Sequence, residues 1–160
     1  MQKEKIKRIK SSILAIMLCL SLSGCSKEKK ETKKEIISLV VPCYNEEEAL
    51  PYYYDAMDKL SKDLKQELEF IFVDDGSRDK TLEILKDLAK KDDRVKFISF
   101  SRNFGKEAGM YAGLENATGD YVAIMDADMQ DPPEMVKTMY DSIQNEGYDC
   151  VALCSPSHEG

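Results

Sequence analysis

From residue 36 onward, short runs of β-branched and aromatic residues alternate with longer segments of helical periodicity. This alternation is typical of a parallel β-sheet whose strands are joined by helices. The apolar runs predict strands at residues 36–41, 68–73, 95–100, 121–125 and 149–153. The segments between them predict helices at residues 47–65, 80–90 and 106–116, and a fourth that begins at Pro133. We therefore expect an α/β domain over residues 36–160, with a mostly parallel sheet and flanking helices.

Charge divides the chain into two parts. Residues 1–35 contain 10 Lys and Arg against 4 Asp and Glu, whereas the rest of the chain contains 13 against 26. Nucleic-acid binding depends mainly on Lys and Arg side chains that neutralise phosphates, so the acidic part excludes a nucleic-acid partner. His158 is the one histidine of the sequence, which argues against a Ser-His-Asp triad and a multi-histidine metal site. Carboxylates are therefore the candidate catalytic groups.

The basic N-terminal part resembles a bacterial lipoprotein signal peptide. Five basic side chains precede an apolar stretch at residues 13–22, and the sequence Leu-Ser-Gly-Cys that ends at Cys25 resembles a lipobox. The apolar stretch is shorter than the ~20 residues that span a bilayer, which argues against the alternative of a transmembrane anchor. We expect residues 1–25 to be a signal segment with lipidation at Cys25, residues 26–35 to be a charged tether, and the membrane to be a partner.

Polar residues collect directly after three of the predicted strands. Residues 42–46 follow the first strand, residues 74–77 the second and residues 126–131 the fourth. In an open parallel sheet, ligands bind along the edge that the carboxyl ends of the strands form. Two carboxylates ~4 Å apart repel each other by roughly 4 kcal/mol at an effective dielectric constant of about 20. We therefore expect a cation among these residues.

Asp126, Asp128 and Gln130 form the candidate metal site. Residues i and i+2 of an extended segment project to the same side, so these three residues would offer their oxygens in one direction. Oxygen ligands without Cys or His favour Mg²⁺ or Mn²⁺, which commonly bridge carboxylates to substrate phosphates. The alternative is that the two aspartates merely begin a loop. Their place at the end of an apolar strand favours function.

The cluster after the second strand mostly suggests a turn. Asp-Gly is a turn former, and Ser77 and Asp79 are suited to capping the next helix. Asp75 is the exception, because a carboxylate at a strand end can accept a hydrogen bond from a nucleotide base. Tyr44 offers an aromatic face beside it, although a tyrosine in this position is more often packing. Lys106, at the start of the third predicted helix, is a candidate for binding a phosphate.

Four segments, in order, resemble the family-two glycosyltransferases: residues 41–46, 73–81, 101–106 and 126–134. The stretches Arg-Asn-Phe-Gly-Lys and Asp-Ala-Asp-Met-Gln-Asp-Pro-Pro-Glu are similar to the polyprenyl-phosphate branch of that family. This branch includes the dolichyl-phosphate mannose synthases and the bactoprenol glucosyltransferases. The resemblance extends from Ile36 to about Leu153.

This resemblance implies an A-type glycosyltransferase fold. It also implies a metal-assisted transfer, with inversion, of a sugar from a nucleotide-diphospho-sugar to a polyprenyl phosphate. The nucleoside contacts that it implies are Pro42, Tyr44, Glu46, Val73 and Asp75. By the same resemblance, Asp126 and Ala127 line the ribose and the diphosphate, and Asp128 acts in catalysis and binds the metal together with Gln130.

Two features of the sequence leave alternatives open. The chain ends soon after the predicted fifth strand, so we expect the donor-binding part without the acceptor half. Relatives in this family work in the cytoplasm whereas a lipobox indicates export, so we expect membrane attachment on a face that the sequence does not define. The main alternative is a non-catalytic membrane lipoprotein that retains only nucleotide binding. A response-regulator-like domain is a third possibility, but no acidic pair follows the first strand.

Overall fold

The computed structural model describes residues 34–152, so the predicted signal segment, the tether up to residue 33 and Cys25 lie outside the described part. The strands are β1 Ile36–Cys43, β2 Glu67–Asp74, β3 Val95–Ser99 and β4 Tyr121–Ile124. The helices are α1 Ala49–Asp63, α2 Thr81–Lys91, α3 Lys106–Asn116 and α4 Met135–Glu146. The strands form one parallel sheet in the order β3-β2-β1-β4, which confirms the predicted fold class. Within residues 34–152, no helix combines the length and the apolar character that crossing a membrane requires.

One face of the sheet carries the main hydrophobic core. Alternate residues of β1 and β2, such as Leu39 and Phe70, are fully buried there. Helix α1 contributes Leu50, Tyr53 and Met57, which follow one another at helical spacing and belong to the same core. The strands are therefore apolar where the sheet meets α1. For this reason the strands could be recognised in the sequence as short apolar runs between helical segments.

Helix α3 packs on the opposite face, over β1 and β2. Its backbone approaches the sheet so closely that a Cβ atom at Gly113 would lie 2.2 Å from Cγ1 of Val40. The prediction that every strand is buried on both faces is wrong for β4, where Val122 and Ile124 are each 43% exposed. The reason is that α3 is centred on β1 and β2 and leaves the β4 side of this face uncovered.

The predicted fifth strand is not formed by residues 149–152, and Leu153 lies outside the described part. These four residues instead line a cavity of about 420 Å³ next to β4 and α4. A short apolar run indicates that a segment packs against a core, but it does not show whether the backbone joins a hydrogen-bonded ladder. Three of the four described residues are exposed and Val151 is half-buried, so neither the predicted strand nor its burial is found here.

A buried glutamate joins the strands near their amino ends. Glu69 accepts hydrogen bonds from the Ser38 hydroxyl at 2.5 Å, from the Thr118 hydroxyl at 2.6 Å and from the Thr118 backbone N–H at 3.0 Å. Lys96 of β3 donates a further hydrogen bond to it. Burial raises the pKa of Glu69, but the hydrogen bonds from Lys96, Ser38 and Thr118 outweigh burial and lower it to about 2. The ionised carboxylate therefore links β1, β2, β3 and the turn before β4.

We expect Glu69→Gln to lower the free energy of unfolding by about 1–3 kcal/mol at pH 7, because it replaces a charged acceptor with a neutral amide that also brings an unmatched donor. The stabilising effect of Glu69 is complete above its ordinary pKa of 4.5 and disappears as the pH falls towards its folded value of about 2. The difference in free energy of unfolding between the wild type and Glu69→Gln should therefore become smaller as the pH falls from 4.5 to about 2. Urea denaturation measures it, with exposed Glu67→Gln on the same strand as the control. Equal losses for both variants would contradict the prediction.

Candidate functional site

A cavity of about 320 Å³ lies where the carboxyl ends of β1, β2 and β4 meet. It brings together eight of the residues that the sequence analysis selected: Pro42, Tyr44, Glu46, Asp75, Lys106, Asp126, Ala127 and Asp128. Two selected residues do not line it. Val73 is fully buried, with its side chain under Gly109 of α3. Gln130 follows the acidic turn and lies outside the cavity wall.

The loop after β1 is fastened to the loop after β2. Asn45 has a φ of 58°, which turns the chain away from the sheet, and its side-chain oxygen accepts a hydrogen bond from the Arg78 backbone N–H at 2.9 Å. The Asn45 backbone N–H donates in return to the Ser77 hydroxyl at 3.0 Å. Tyr44, directly before this turn, remains 40% exposed. The ring of Tyr44 is therefore accessible to a ligand.

Asp74 and Asp75 are both buried but have different partners. Asp74 accepts hydrogen bonds from the Ser77 backbone N–H at 3.0 Å and from the Ser99 hydroxyl at 2.9 Å, which agrees with a structural role. Asp75 accepts from the backbone N–H of Phe104 at 2.7 Å and from that of Gly105 at 2.9 Å, one on each carboxylate oxygen. Asp75 therefore fixes the turn that leads into α3.

Glycine at position 76 permits this contact. Gly76 has a φ of +69°, and a Cβ atom there would lie 2.5 Å from the carbonyl carbon of Arg102. The loops after β2 and β3 therefore touch backbone to backbone. Arg102 itself does not line the cavity, and its guanidinium lies 4.0 Å from the centre of the Phe104 ring.

Negative charge dominates the cavity. Its wall contains the carboxylates of Glu46, Asp75, Asp126 and Asp128 and one ammonium group, that of Lys106. Lys106 Nζ lies 2.6 Å from Oδ2 of Asp126. Burial, followed by the charges of Asp128 and Asp126, raises the pKa of Glu46. The crowding expected from the sequence is therefore present, and a single lysine balances part of it.

The acidic segment after β4 is a turn and not an extended chain. Strand β4 ends at Ile124, residues 127 and 128 form a turn, and Met129 has a φ of 60°. The assumption that Asp126, Asp128 and Gln130 alternate along an extended segment is therefore wrong. Instead, the backbone N–H of Gln130 donates to Oδ1 of Asp128 at 3.1 Å.

The carboxylate oxygens at the cavity suit a divalent cation that is also bound by ligands from outside the chain. Residues 34–152 contain no group of three or more His, Cys, Asp or Glu side chains converging on one point as a preformed metal site would. Asp128 and Asp126 nevertheless offer hard carboxylate oxygens of the kind that Mg²⁺ and Mn²⁺ prefer. Magnesium usually takes one or two carboxylates and completes its shell with water and substrate phosphates. Two aspartates at the wall of a cavity fit that arrangement.

Three further residues line the cavity that the sequence analysis did not select: Cys43, Asn103 and Gly105. Cys43 and Gly105 are adjacent in sequence to selected residues, and Asn103 and Gly105 belong to the Arg-Asn-Phe-Gly-Lys stretch. Cys43 is 1% exposed. Burial, and then the charges of Glu46, Asp74 and Asp126, raise the pKa of its thiol. Cys43 therefore stays protonated and does not act as a nucleophile.

Comparison with known proteins places these features in a family. A family model described as Glycosyl transferase family 2 matches residues 38–160. A relative from Escherichia coli (strain K12), named prophage bactoprenol glucosyl transferase homolog, is 44% identical over 115 residues, which are 72% of this chain and 37% of the relative. Among the curated relatives compared, the chain spans 36% to 39% of their length.

Solved structures share the fold. A mannosyltransferase from Pyrobaculum calidifontis in complex with GDP-Man and Mn²⁺ superposes with a TM-score of 0.59 at 24% identity, over 71% of this chain and 34% of that one. Glucosyl-3-phosphoglycerate synthase from Mycobacterium tuberculosis, in complex with Mn²⁺, UDP and glucosyl-3-phosphoglycerate, has a TM-score of 0.55 at 25% identity, over 69% and 40% of the two chains. The expected A-type glycosyltransferase fold is confirmed.

We expect Gly76→Ala to destabilise the protein more than Gly147→Ala does. Both glycines have a positive φ, +69° and +74°, so both substitutions carry the left-handed cost of about 1–2 kcal/mol. At Gly147 nothing lies within 4 Å of the added Cβ, whereas at Gly76 it meets the backbone of residues 102 and 103. Chemical denaturation of both variants isolates the cost of that contact. Equal destabilisation would contradict the close approach of the two loops.

Proposed function

This chain belongs to glycosyl transferase family 2, and from that premise we propose that it binds a nucleotide-diphospho-sugar and transfers the sugar to a polyprenyl phosphate. The observation that carries the proposal is the convergence of Tyr44, Asp75, Lys106, Asp126 and Asp128 on one cavity. Several relatives are named bactoprenol glucosyl transferase, and bactoprenol is a polyprenyl lipid, which supports this acceptor class. Two structural neighbours contain Mn²⁺, which supports a divalent cation.

Each part of the donor has a candidate partner in the cavity wall. We assign the nucleoside to Pro42, Tyr44 and Glu46 together with Asp75, and the ribose and diphosphate to Asp126 and Ala127. The exposed ring of Tyr44 offers a surface on which a base can stack. Asp75 already accepts two backbone hydrogen bonds, and a carboxylate has about four lone-pair sites, so it can still accept one from a base.

The charge of the cavity explains why the donor requires a cation. A diphosphate that enters next to Glu46, Asp126 and Asp128 meets like charges, and Lys106 is the one lysine in the cavity wall. Asp128 is suited to hold Mg²⁺ or Mn²⁺, because in residues 34–152 its Oδ2 accepts no hydrogen bond. A divalent ion bound there would supply Lewis-acid stabilisation of the departing diphosphate.

The acceptor supplies its own nucleophile. In the proposed reaction, an oxygen of the lipid phosphate attacks the anomeric carbon of the sugar, and the bond from that carbon to the donor diphosphate breaks. The nucleoside diphosphate leaves with the bonding electrons, and the configuration at the carbon inverts. A lipid phosphate is already an anion near neutral pH, so no side chain has to remove a proton. Asp128, which would hold the cation at the leaving group, is the proposed catalytic residue.

We expect UDP and Mn²⁺ together to raise the melting temperature of the full chain by about 3–8 °C, and each alone to raise it less, because a ligand that binds only the folded state stabilises it in proportion to its affinity. Asp128→Asn should abolish most of this shift. Asp131→Asn is the matched control, since Asp131 lies in the same segment but outside the cavity wall. A shift that Asp128→Asn leaves intact would contradict the metal assignment.

The same two variants test transfer. With labelled nucleotide sugar, Mn²⁺ and polyprenyl phosphate in detergent, any label that reaches the lipid phase should depend on Asp128 and not on Asp131. Removing a group that stabilises leaving-group charge typically costs about 10²–10³ in rate, which sets the expected loss for Asp128→Asn. Label in the lipid phase that Asp128→Asn leaves unchanged would contradict the catalytic role of Asp128.

The membrane location rests on the sequence alone. We propose that the chain is attached to the membrane by lipidation at Cys25, which would place the cavity near a lipid acceptor. Mass spectrometry of the membrane fraction of a bacterial host should find a mature chain that starts at a lipidated Cys25, and Cys25→Ser should block processing. An intact chain that begins at Met1, or an unlipidated product in the soluble fraction, would show that this proposal is wrong.

A further inference from the structure

Lys106 neutralises one of the two aspartates that the proposed function assigns to the diphosphate and the metal. Its Nζ lies 2.6 Å from Oδ2 of Asp126, and the two side chains are 54% and 45% exposed. An ion pair this exposed contributes little net stability, so another ligand can displace it. The pair is therefore suited to form and open as ligands bind and leave.

The position of Lys106 does not depend on this ion pair. Asp75 accepts hydrogen bonds from the N–H groups of Phe104 and Gly105, the two residues directly before Lys106. Asp75 is 4% exposed, and Lys106 is the first residue of α3. The start of this helix is therefore held by hydrogen bonds to a buried carboxylate. We call this contact of Asp75 with the backbone of residues 104 and 105 the Asp75 clasp.

We propose that Lys106 is an internal counter-ion, held on Asp126 by the Asp75 clasp, which makes the divalent cation bind tightly only together with the diphosphate. The inference deepens the proposed function and rests on it. A cation that arrives alone has to compete with the lysine for Asp126 and finds no third carboxylate, cysteine or histidine gathered for it within residues 34–152. A diphosphate adds oxygen ligands for the metal and gives the ammonium group another anion to bind.

The test measures how tightly Mn²⁺ alone binds to the full chain. The electron paramagnetic resonance signal of free Mn²⁺ reports the unbound fraction. Lys106→Met removes the competing charge and keeps much of the side-chain length. It should raise the affinity for Mn²⁺ about three- to tenfold, as expected for one positive charge a few ångströms from a divalent ion in a partly screened site. Lys106→Arg should behave like the wild type. Lys90→Met is the matched control, because Lys90 pairs with Asp87 on α2.

The second measurement adds UDP. In the wild type, UDP should strengthen Mn²⁺ binding by a large factor, and Mn²⁺ should strengthen UDP binding by the same factor, since this coupling is reciprocal. In Lys106→Met, the factor by which UDP strengthens Mn²⁺ binding should be smaller. The metal already binds more tightly alone, and the diphosphate has lost the ammonium group of Lys106. A purely structural role of Lys106 would not change this factor.

The clasp is tested by a double-mutant cycle. Asp75→Asn retains one acceptor oxygen for two N–H donors, so the turn loosens and Mn²⁺ should bind more tightly than in the wild type. In the Lys106→Met background, Asp75→Asn should not tighten Mn²⁺ binding, because the tightening acts through the lysine and only the loss of one negative charge from the cavity wall remains. Equal effects in both backgrounds would show that Asp75 does not position Lys106. If Asp75→Asn does not fold, the Met and Arg variants at position 106 still decide the counter-ion role.

Failure of this inference is distinct from failure of the proposed function. If the wild type binds UDP with Mn²⁺ but Lys106→Met binds Mn²⁺ alone no better than the wild type, the counter-ion role is wrong and the function stands. If the wild type binds neither UDP nor GDP with Mn²⁺, the proposed function is overturned and this inference with it.

Discussion

Parallel pairing of β1 with β2 on one side and with β4 on the other is the constraint from which the site follows. Strands that run in the same direction end at the same edge, so the three acidic segments that follow them must meet. Mutual repulsion of carboxylates opposes this arrangement, by roughly 4 kcal/mol for a pair ~4 Å apart at an effective dielectric constant of about 20. The hydrophobic core on the α1 side of the sheet has to offset that cost, and it is built from the same strands.

Close packing of α3 on the sheet places the Lys106 ammonium group at this edge. Gly113 touches Val40, and Gly109 lies over Pro42 and Val73, so the helix axis comes nearer to β1 and β2 than larger residues would allow. A helix in this position begins beside the carboxyl ends of the strands and therefore presents Lys106 there. Glycines in the middle of α3, which reduce helix propensity, thus serve to bring the lysine to the cavity.

Local features of the sequence predicted more of this structure than long-range ones. The apolar runs located β1 to β4, and α3 has the predicted bounds, because burial and periodicity are recorded in neighbouring residues. The turn at residues 127 and 128 was missed, since strand alternation was extended past the last residue of β4. The hydrogen bonds of Asp75 were also missed, because they join residues 29 and 30 positions apart, and no local pattern indicates such a pair.

Acidic side chains at the two ends of the sheet differ in the hydrogen bonds that they accept, and this difference distinguishes a structural charge from the charges of the cavity. Near the amino ends, Glu69 is surrounded by donors from three other segments, so its charge is fully used in holding the strands together. At the carboxyl ends, Glu46 receives no hydrogen bond on its carboxylate within residues 34–152, and burial, followed by the charges of Asp128 and Asp126, raises its pKa. The excess of negative charge at the cavity therefore supports the proposed divalent cation.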